Sequence, residues 1–97
     1  MPPRADSVLV LPAELTHAGA NACLRMLVQG LRAHANEEVW VDAGALCRFD
    51  SSALAVLLEF RRECQASGKR VRIRNLPSRL ASLAALYGIA ELLAPTQ

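Results

Sequence analysis

Apolar and polar positions follow two periods along this chain, and the switches between them mark its elements. Val8-Leu9-Val10-Leu11 is an unbroken apolar run stopped by Pro12, the pattern of a strand buried on both faces and central in a sheet. From Thr16 the period lengthens. Ala20, Leu24, Leu27, Val28, Leu31 and Ala35 mark one face of a helix from about Ala18 to His34. Glu38-Val39-Trp40-Val41-Asp42 alternates, with Asn36 before it and Gly44 after it as turn residues, and predicts a second strand. A second helix opens at Asp50-Ser51-Ser52. Ala53, Leu57, Phe60 and Cys64 share its inner face, Glu59, Arg62 and Glu63 point to water, and Gly68 suits a left-handed C-terminal position. Val71 and Ile73 alternate with Arg72 and Arg74, predicting a strand with one dry face, at an edge or in a sheet covered on one side. Pro77 starts a third helix in which Leu80, Leu83, Ala84 and Tyr87 share a face, and Gly88 stops it. Ile89 to Leu93 adds one or two further helical turns before Pro95.

Helices between successive strands require crossovers, which place the strands parallel. The expected product is a single α/β domain over residues 1–97, with a small, mostly parallel sheet of three or four strands and three or four helices. A chain of 97 residues has room for one core only. Its composition is 53% hydrophobic with one Trp, one Tyr and two Phe, so that core is built from Ala, Val and Leu.

Composition narrows the function classes. The longest apolar run, Ala53 to Leu58, is far short of the roughly 20 residues of a membrane span. Met1-Pro2-Pro3-Arg4-Ala5-Asp6 lacks the order of a secretory signal, so a cytoplasmic location is expected. Cys23, Cys47 and Cys64 have no paired spacing, which argues for small buried thiols rather than disulfides or a zinc site. The net charge of +2 divides into four basic and five acidic side chains up to residue 49, and seven and four beyond it. The basic residues of the second half have almost no aromatic company, which fits a solvated rim or an acidic protein partner better than nucleic acid. Phosphate-cradling glycine motifs and the nucleophile elbow are absent. His17 and His34 read as surface residues with no metal-site spacing, and no His or Lys base can be placed beside Ser51. No enzyme, metal or cofactor is expected.

The segment that remains is Asp50-Ser51-Ser52. Asp50 or Ser51 as a helix cap explains the polar residues. It leaves unexplained the fully apolar stretch that follows. With Ala53, Leu54, Leu57 and Leu58 turned inward, Ala55 and Val56 are expected near the surface beside Ser51, as an apolar rim suited to a protein interface. A phosphate on Ser51 would add about −1.5 to −2 charge at a helix N-terminus that welcomes it, and would change that surface sharply.

Leu11-Pro12-Ala13-Glu14-Leu15-Thr16, Val39-Trp40-Val41-Asp42, Phe49-Asp50-Ser51-Ser52-Ala53-Leu54 and Val71-Arg72-Ile73-Arg74-Asn75-Leu76 together resemble the STAS domain, the fold of anti-sigma factor antagonists. The ending Leu83-Ala84-Ala85-Leu86-Tyr87-Gly88-Ile89-Ala90-Glu91-Leu92-Leu93 is similar to the small STAS subunit of Mla-type phospholipid-transport ABC systems. That resemblance implies a non-enzymatic accessory protein that binds the transporter's ATPase subunit through the start of the second helix, and meets the inner membrane only through that complex. Ser51, Asp50, Ser52, Ala55, Val56 and Glu59 would form the interface. The alternative it implies is an antagonist that partners an anti-sigma factor and serine kinase and is switched by phosphorylation of Ser51. Ala13 and Ala53 stand where the family usually has glycine, and the N-terminus is short, so the family's first strand is expected to be missing or reduced to Ala5–Ser7.

Overall fold

A computed structural model of the protein describes residues 8–33 and 37–93. Its elements in chain order are β1 (Val8–Val10), β2 (Glu14–Leu15), a 3-10 turn (His17–Gly19), α1 (Ala20–Ala33), β3 (Glu38–Asp42), β4 (Arg48–Phe49), α2 (Ser52–Ala66), β5 (Arg70–Arg74), α3 (Ser78–Leu86) and α4 (Ala90–Leu93). The α/β architecture inferred above is the observed one. His34 and the stretch Ala5–Ser7 lie outside the described residues.

The main sheet has the order β1-β3-β5, and both of its pairings are parallel. The chain therefore steps across the sheet in one direction, with α1 and α2 as the crossovers. Those two helices pack against each other, and Val39, Val41 and Ile73 are buried in the same core as Leu27, Leu31, Leu57 and Phe60. Leu80 and Ala84 of α3 and Leu93 of α4 extend that core. Gly30 sits where α1 crosses β1: a Cβ there would lie 2.5 Å from Leu9 Cδ2.

In-register pairing puts Val8, Trp40 and Arg72 on one face, and Val10, Asp42 and Arg74 with them. Among the described residues this opposite face is half-buried except at Val10 and is held by polar contacts. Arg72 Nε lies 2.7 Å from Glu38 Oε2, its guanidinium stacks 5.9 Å from the Trp40 ring, and Trp40 Nε1 donates to Glu38 Oε1 at 3.3 Å.

Four expectations are corrected. Among the described residues β1 is an edge strand rather than a central one: only Leu9 and Leu11 turn toward the core, while Val10 is 56% exposed. Cys47 is exposed, and its thiol donates to the Ala13 carbonyl at 3.5 Å, while Cys23 and Cys64 are buried. Burial pushes the Cys64 thiol up to about 11 and raises that of Cys23. Tyr87 does not share the buried face of Leu80 and Ala84; it is 57% exposed at the end of α3. Val56 is buried, as described below.

Both predicted glycine stops are observed. Gly68 (φ 72°) and Gly88 (φ 73°) adopt left-handed backbone. Each closes a paired C-terminal motif, in which Gly68 N–H bonds Gln65 O and Lys69 N–H bonds Cys64 O, and likewise Gly88 to Ala85 and Ile89 to Ala84.

Candidate functional site

Helices that return the chain between parallel strands start at the carboxyl ends of those strands, the edge where open α/β sheets ordinarily carry their sites. Asp50, Ser51 and Ser52 lie at this edge because β4 delivers them there. β4 pairs with β2 in parallel, Glu14 opposite Arg48 and Leu15 opposite Phe49. The Ala13 carbonyl accepts from both Cys47 N–H (2.8 Å) and Arg48 N–H (3.0 Å), and Arg48 Nη1 lies 3.4 Å from Glu14 Oε2. Leu15 is fully buried beneath this clip. From α3, the guanidinium of Arg79 stacks on the Phe49 ring at 5.4 Å. These two-residue strands were not foreseen, because two residues cannot display a period.

The capping residue is Asp50. Its Oδ1 accepts from Ser52 N–H at 2.8 Å, and its Oδ2 accepts from His17 N–H at 3.2 Å. One carboxylate thus joins the start of α2 to the 3-10 turn that precedes α1. These two backbone donors, Ser52 first and His17 second, hold the Asp50 carboxyl below the usual carboxylate range. Ser51 is already helical (φ −63°, ψ −15°) and makes no side-chain capping bond. Its side chain is exposed and faces outward.

Along α2 the buried arc is Ala53, Leu54, Val56, Leu57, Phe60 and Cys64. Val56 is 4% exposed, so it is a core residue one turn before Phe60 and not a rim residue beside Ser51. Ala55 is exposed, Leu58 and Glu59 are half-exposed, and Ser52 is half-buried. Ser51, Ala55, Leu58 and Arg62 follow i, i+4, i+7, i+11 spacing and form a single stripe flanked by Glu59, exposed at Ser51, Ala55 and Arg62 and half-buried at Leu58, which packs against the core. Arg62 Nη1 lies 3.4 Å from Glu59 Oε1 on the same surface. Of the expected apolar rim only Ala55 is exposed: Val56 is buried, and Leu58, turned inward as expected, is half-buried against the core.

Behind the site, Asp42 braces the connector from β3 to β4. Its Oδ1 accepts from Gly44 N–H (2.8 Å) and Asn75 Nδ2 (3.2 Å), and its Oδ2 faces Arg74 Nε at 3.3 Å. Asn75 holds φ 59°, a left-handed conformation that Asn tolerates better than most residues. The Gly44 N–H foremost, then Asn75 and Arg74, lower the Asp42 carboxyl below its ordinary value. A lowered native value means stability that is fully present above the unfolded carboxyl's value near 3.9 and is lost as pH falls through the native one. Asp42→Asn is expected to lose about 1–2 kcal/mol at pH 7. Thermal denaturation at pH 7 and pH 3 checks this: the gap from wild type narrows in acid, and a gap of constant size would show that the carboxylate is not the stabilising form.

Among the described residues there is no cluster of three or more His, Cys, Asp or Glu able to hold a metal ion. No described helix is long and apolar enough to cross a membrane.

Comparison with known proteins bears on the family and the fold. A 49-residue segment is 41% identical to the intermembrane phospholipid transport system binding protein MlaB of Haemophilus influenzae, and covers 50% of this chain and 47% of that protein. The matched segment thus spans about half the length of the curated relative. The whole fold superimposes on the anti-sigma factor antagonist SpoIIAA in its unphosphorylated form with a TM-score of 0.71, over 93% of this chain and 78% of that one. At 19% identity the second likeness concerns the fold alone. The family model described as Mlab, STAS domain, matches residues 3–94, and a match of that extent makes this chain a member of the STAS domain family, in its Mlab branch.

Proposed function

We propose that this protein is a non-catalytic accessory subunit of a phospholipid-transport ABC system, and that it docks on the ATPase subunit through the outward stripe at the start of α2. The observation that carries this reading is the exposed pair Ser51 and Ala55, with half-buried Leu58 and Glu59 beside them and Asp50 capping the helix through Ser52 N–H. The family membership and the identity to a transport-system binding protein support the assignment to a transporter. The contact is apolar at its centre and polar at its margin, the anatomy of a protein interface. In this reading the protein is cytoplasmic and reaches the inner membrane through the complex.

Coexpression with the cognate transporter ATPase followed by size-exclusion chromatography tests the proposal. Wild-type protein co-elutes with the ATPase, and Ser51→Glu and Ala55→Asp each weaken the complex by about tenfold or more, roughly 1.4 kcal/mol. Failure of the wild-type pair to co-elute, or undiminished binding by both variants, would sink it.

A second reading is favoured by one feature: the Ser51 side chain is exposed and has no capping bond, so a kinase has an unengaged target there. In that reading the protein is an anti-sigma factor antagonist switched at Ser51. Intact-mass spectrometry of protein from native cells distinguishes the two, since a phosphate on Ser51 in any growth phase supports the switch and its absence throughout removes it.

A further inference from the structure

The far half of α2 borders a second feature. A cleft of about 280 Å³ lies between that half, the start of β5 and α4, lined by Arg61 and Gln65, Arg70 and Arg72, and Glu91 and Leu92. Three arginines and one acidic residue line this space. Arg72 is fixed in place: Glu38 holds its Nε at 2.7 Å, Trp40 lies under it, and only 18% of its side chain is exposed. Arg61 and Arg70 form no ion pair among the described residues, although Glu91 lines the same cleft. With the charge of Arg72 met by Glu38, Arg61 and Arg70, neither ion-paired among the described residues, outweigh Glu91 and give the cleft a net positive charge.

We infer that this cleft binds a small phosphate-bearing ligand. Guanidinium forks match the oxygens of a phosphate in geometry as well as charge, and the Gln65 amide adds a neutral donor. The volume lies just below that of ordinary small-molecule sites, enough for a phosphate and a short organic group. Leu92, 43% exposed, supplies an apolar wall for the organic part. Glu91 repels the anion and sets a limit on affinity. Ser51 and Arg61 are ten positions apart, roughly 15 Å along the helix, so the cleft is distant from the start of the docking stripe, although Arg61 adjoins Arg62 at the stripe's far end. The ligand class does not depend on the transporter assignment.

The chemistry admits a free phosphate ester or the headgroup of a lipid, and one set of measurements separates them. Amide chemical shifts of the ¹⁵N-labelled protein are followed during titration with inorganic phosphate and with sn-glycerol 3-phosphate. Flotation with phosphatidylglycerol or phosphatidylcholine vesicles is run beside it. Saturable shifts at residues 61–72 and 89–93 are expected, with glycerol 3-phosphate tighter than inorganic phosphate. The double variant R61Q/R70Q binds at least tenfold more weakly. E91Q binds several-fold more tightly, a gain that misfolding cannot produce. Flotation with phosphatidylglycerol alone that is lost in R61Q/R70Q identifies the lipid headgroup as the source, and saturable binding of the soluble ester without flotation identifies a free one. Absence of saturable shifts with both soluble probes, or equal binding by R61Q/R70Q and wild type, overturns the inference.

Discussion

Val56→Asp is expected to unfold the domain, while Ala55→Asp, one position earlier, leaves it folded. Val56 is 4% exposed and belongs to the central core cluster, whereas Ala55 faces solvent. Losing a buried Val side chain costs about 1.5–3 kcal/mol, and an unpaired carboxylate in its place adds about 3–5 kcal/mol. A domain of this length has about 5–15 kcal/mol of stability in total, so the substitution removes most or all of it. Circular dichroism melting of the two variants, followed by the ATPase co-elution assay, gives a clean contrast. Val56→Asp lacks a cooperative transition near physiological temperature. Ala55→Asp melts within a few degrees of wild type and loses partner binding. If Val56→Asp kept a wild-type melt, the phase assigned to α2 would be wrong, and with it the composition of the docking stripe.

Phe60→Ala is the second large expected effect. Phe60 is fully buried and is the largest such side chain, one turn beyond Val56 on the same arc of α2. Truncation of a buried Phe to Ala costs about 3–5 kcal/mol, transfer and cavity terms together. At about 4–8 °C per kcal/mol for a domain of this size, the melting temperature falls by about 12–40 °C. Phe60→Leu, which keeps most of the volume, loses only about 1 kcal/mol. Urea unfolding of both variants checks the pair, and a loss below about 1 kcal/mol for Phe60→Ala would show that the core closes around the vacancy or was never tightly filled there.

The sequence was most informative where two independent signals coincided. β3 is observed over the same five residues that its alternation marks, and α2 and α3 end at glycines whose left-handed backbone their position implied. β1 was misplaced because a continuous run of Val and Leu fits a central strand and an edge strand equally well; Val10 is tolerated at 56% exposure, and periodicity carries no penalty for it. The phase error at Val56 has a related origin. Ala53 to Leu58 contains no polar residue to mark the wet side, so the phase had to be set from Phe60 and Cys64, and one step of i−4 from Phe60 places Val56 inside. Cys47 was misassigned because thiols are usually buried, a tendency that says nothing about a residue in a connector clipped to Ala13. The site itself was legible as Asp50-Ser51-Ser52. Its attachment to His17, 33 positions away, was not, because side-chain to backbone contacts across the fold leave no local pattern.

The small β2–β4 clip has a consequence for how the protein matures. Glu14 and Arg48 stand 34 positions apart, and joining them means closing a loop that contains all of α1 and β3, at an entropic cost of roughly 3 kcal/mol before any contact repays it. Local helices form sooner than such a junction. The entrance to α2 therefore takes shape only in chains whose first crossover is complete, and a partner docking there as proposed would meet that surface only on such chains.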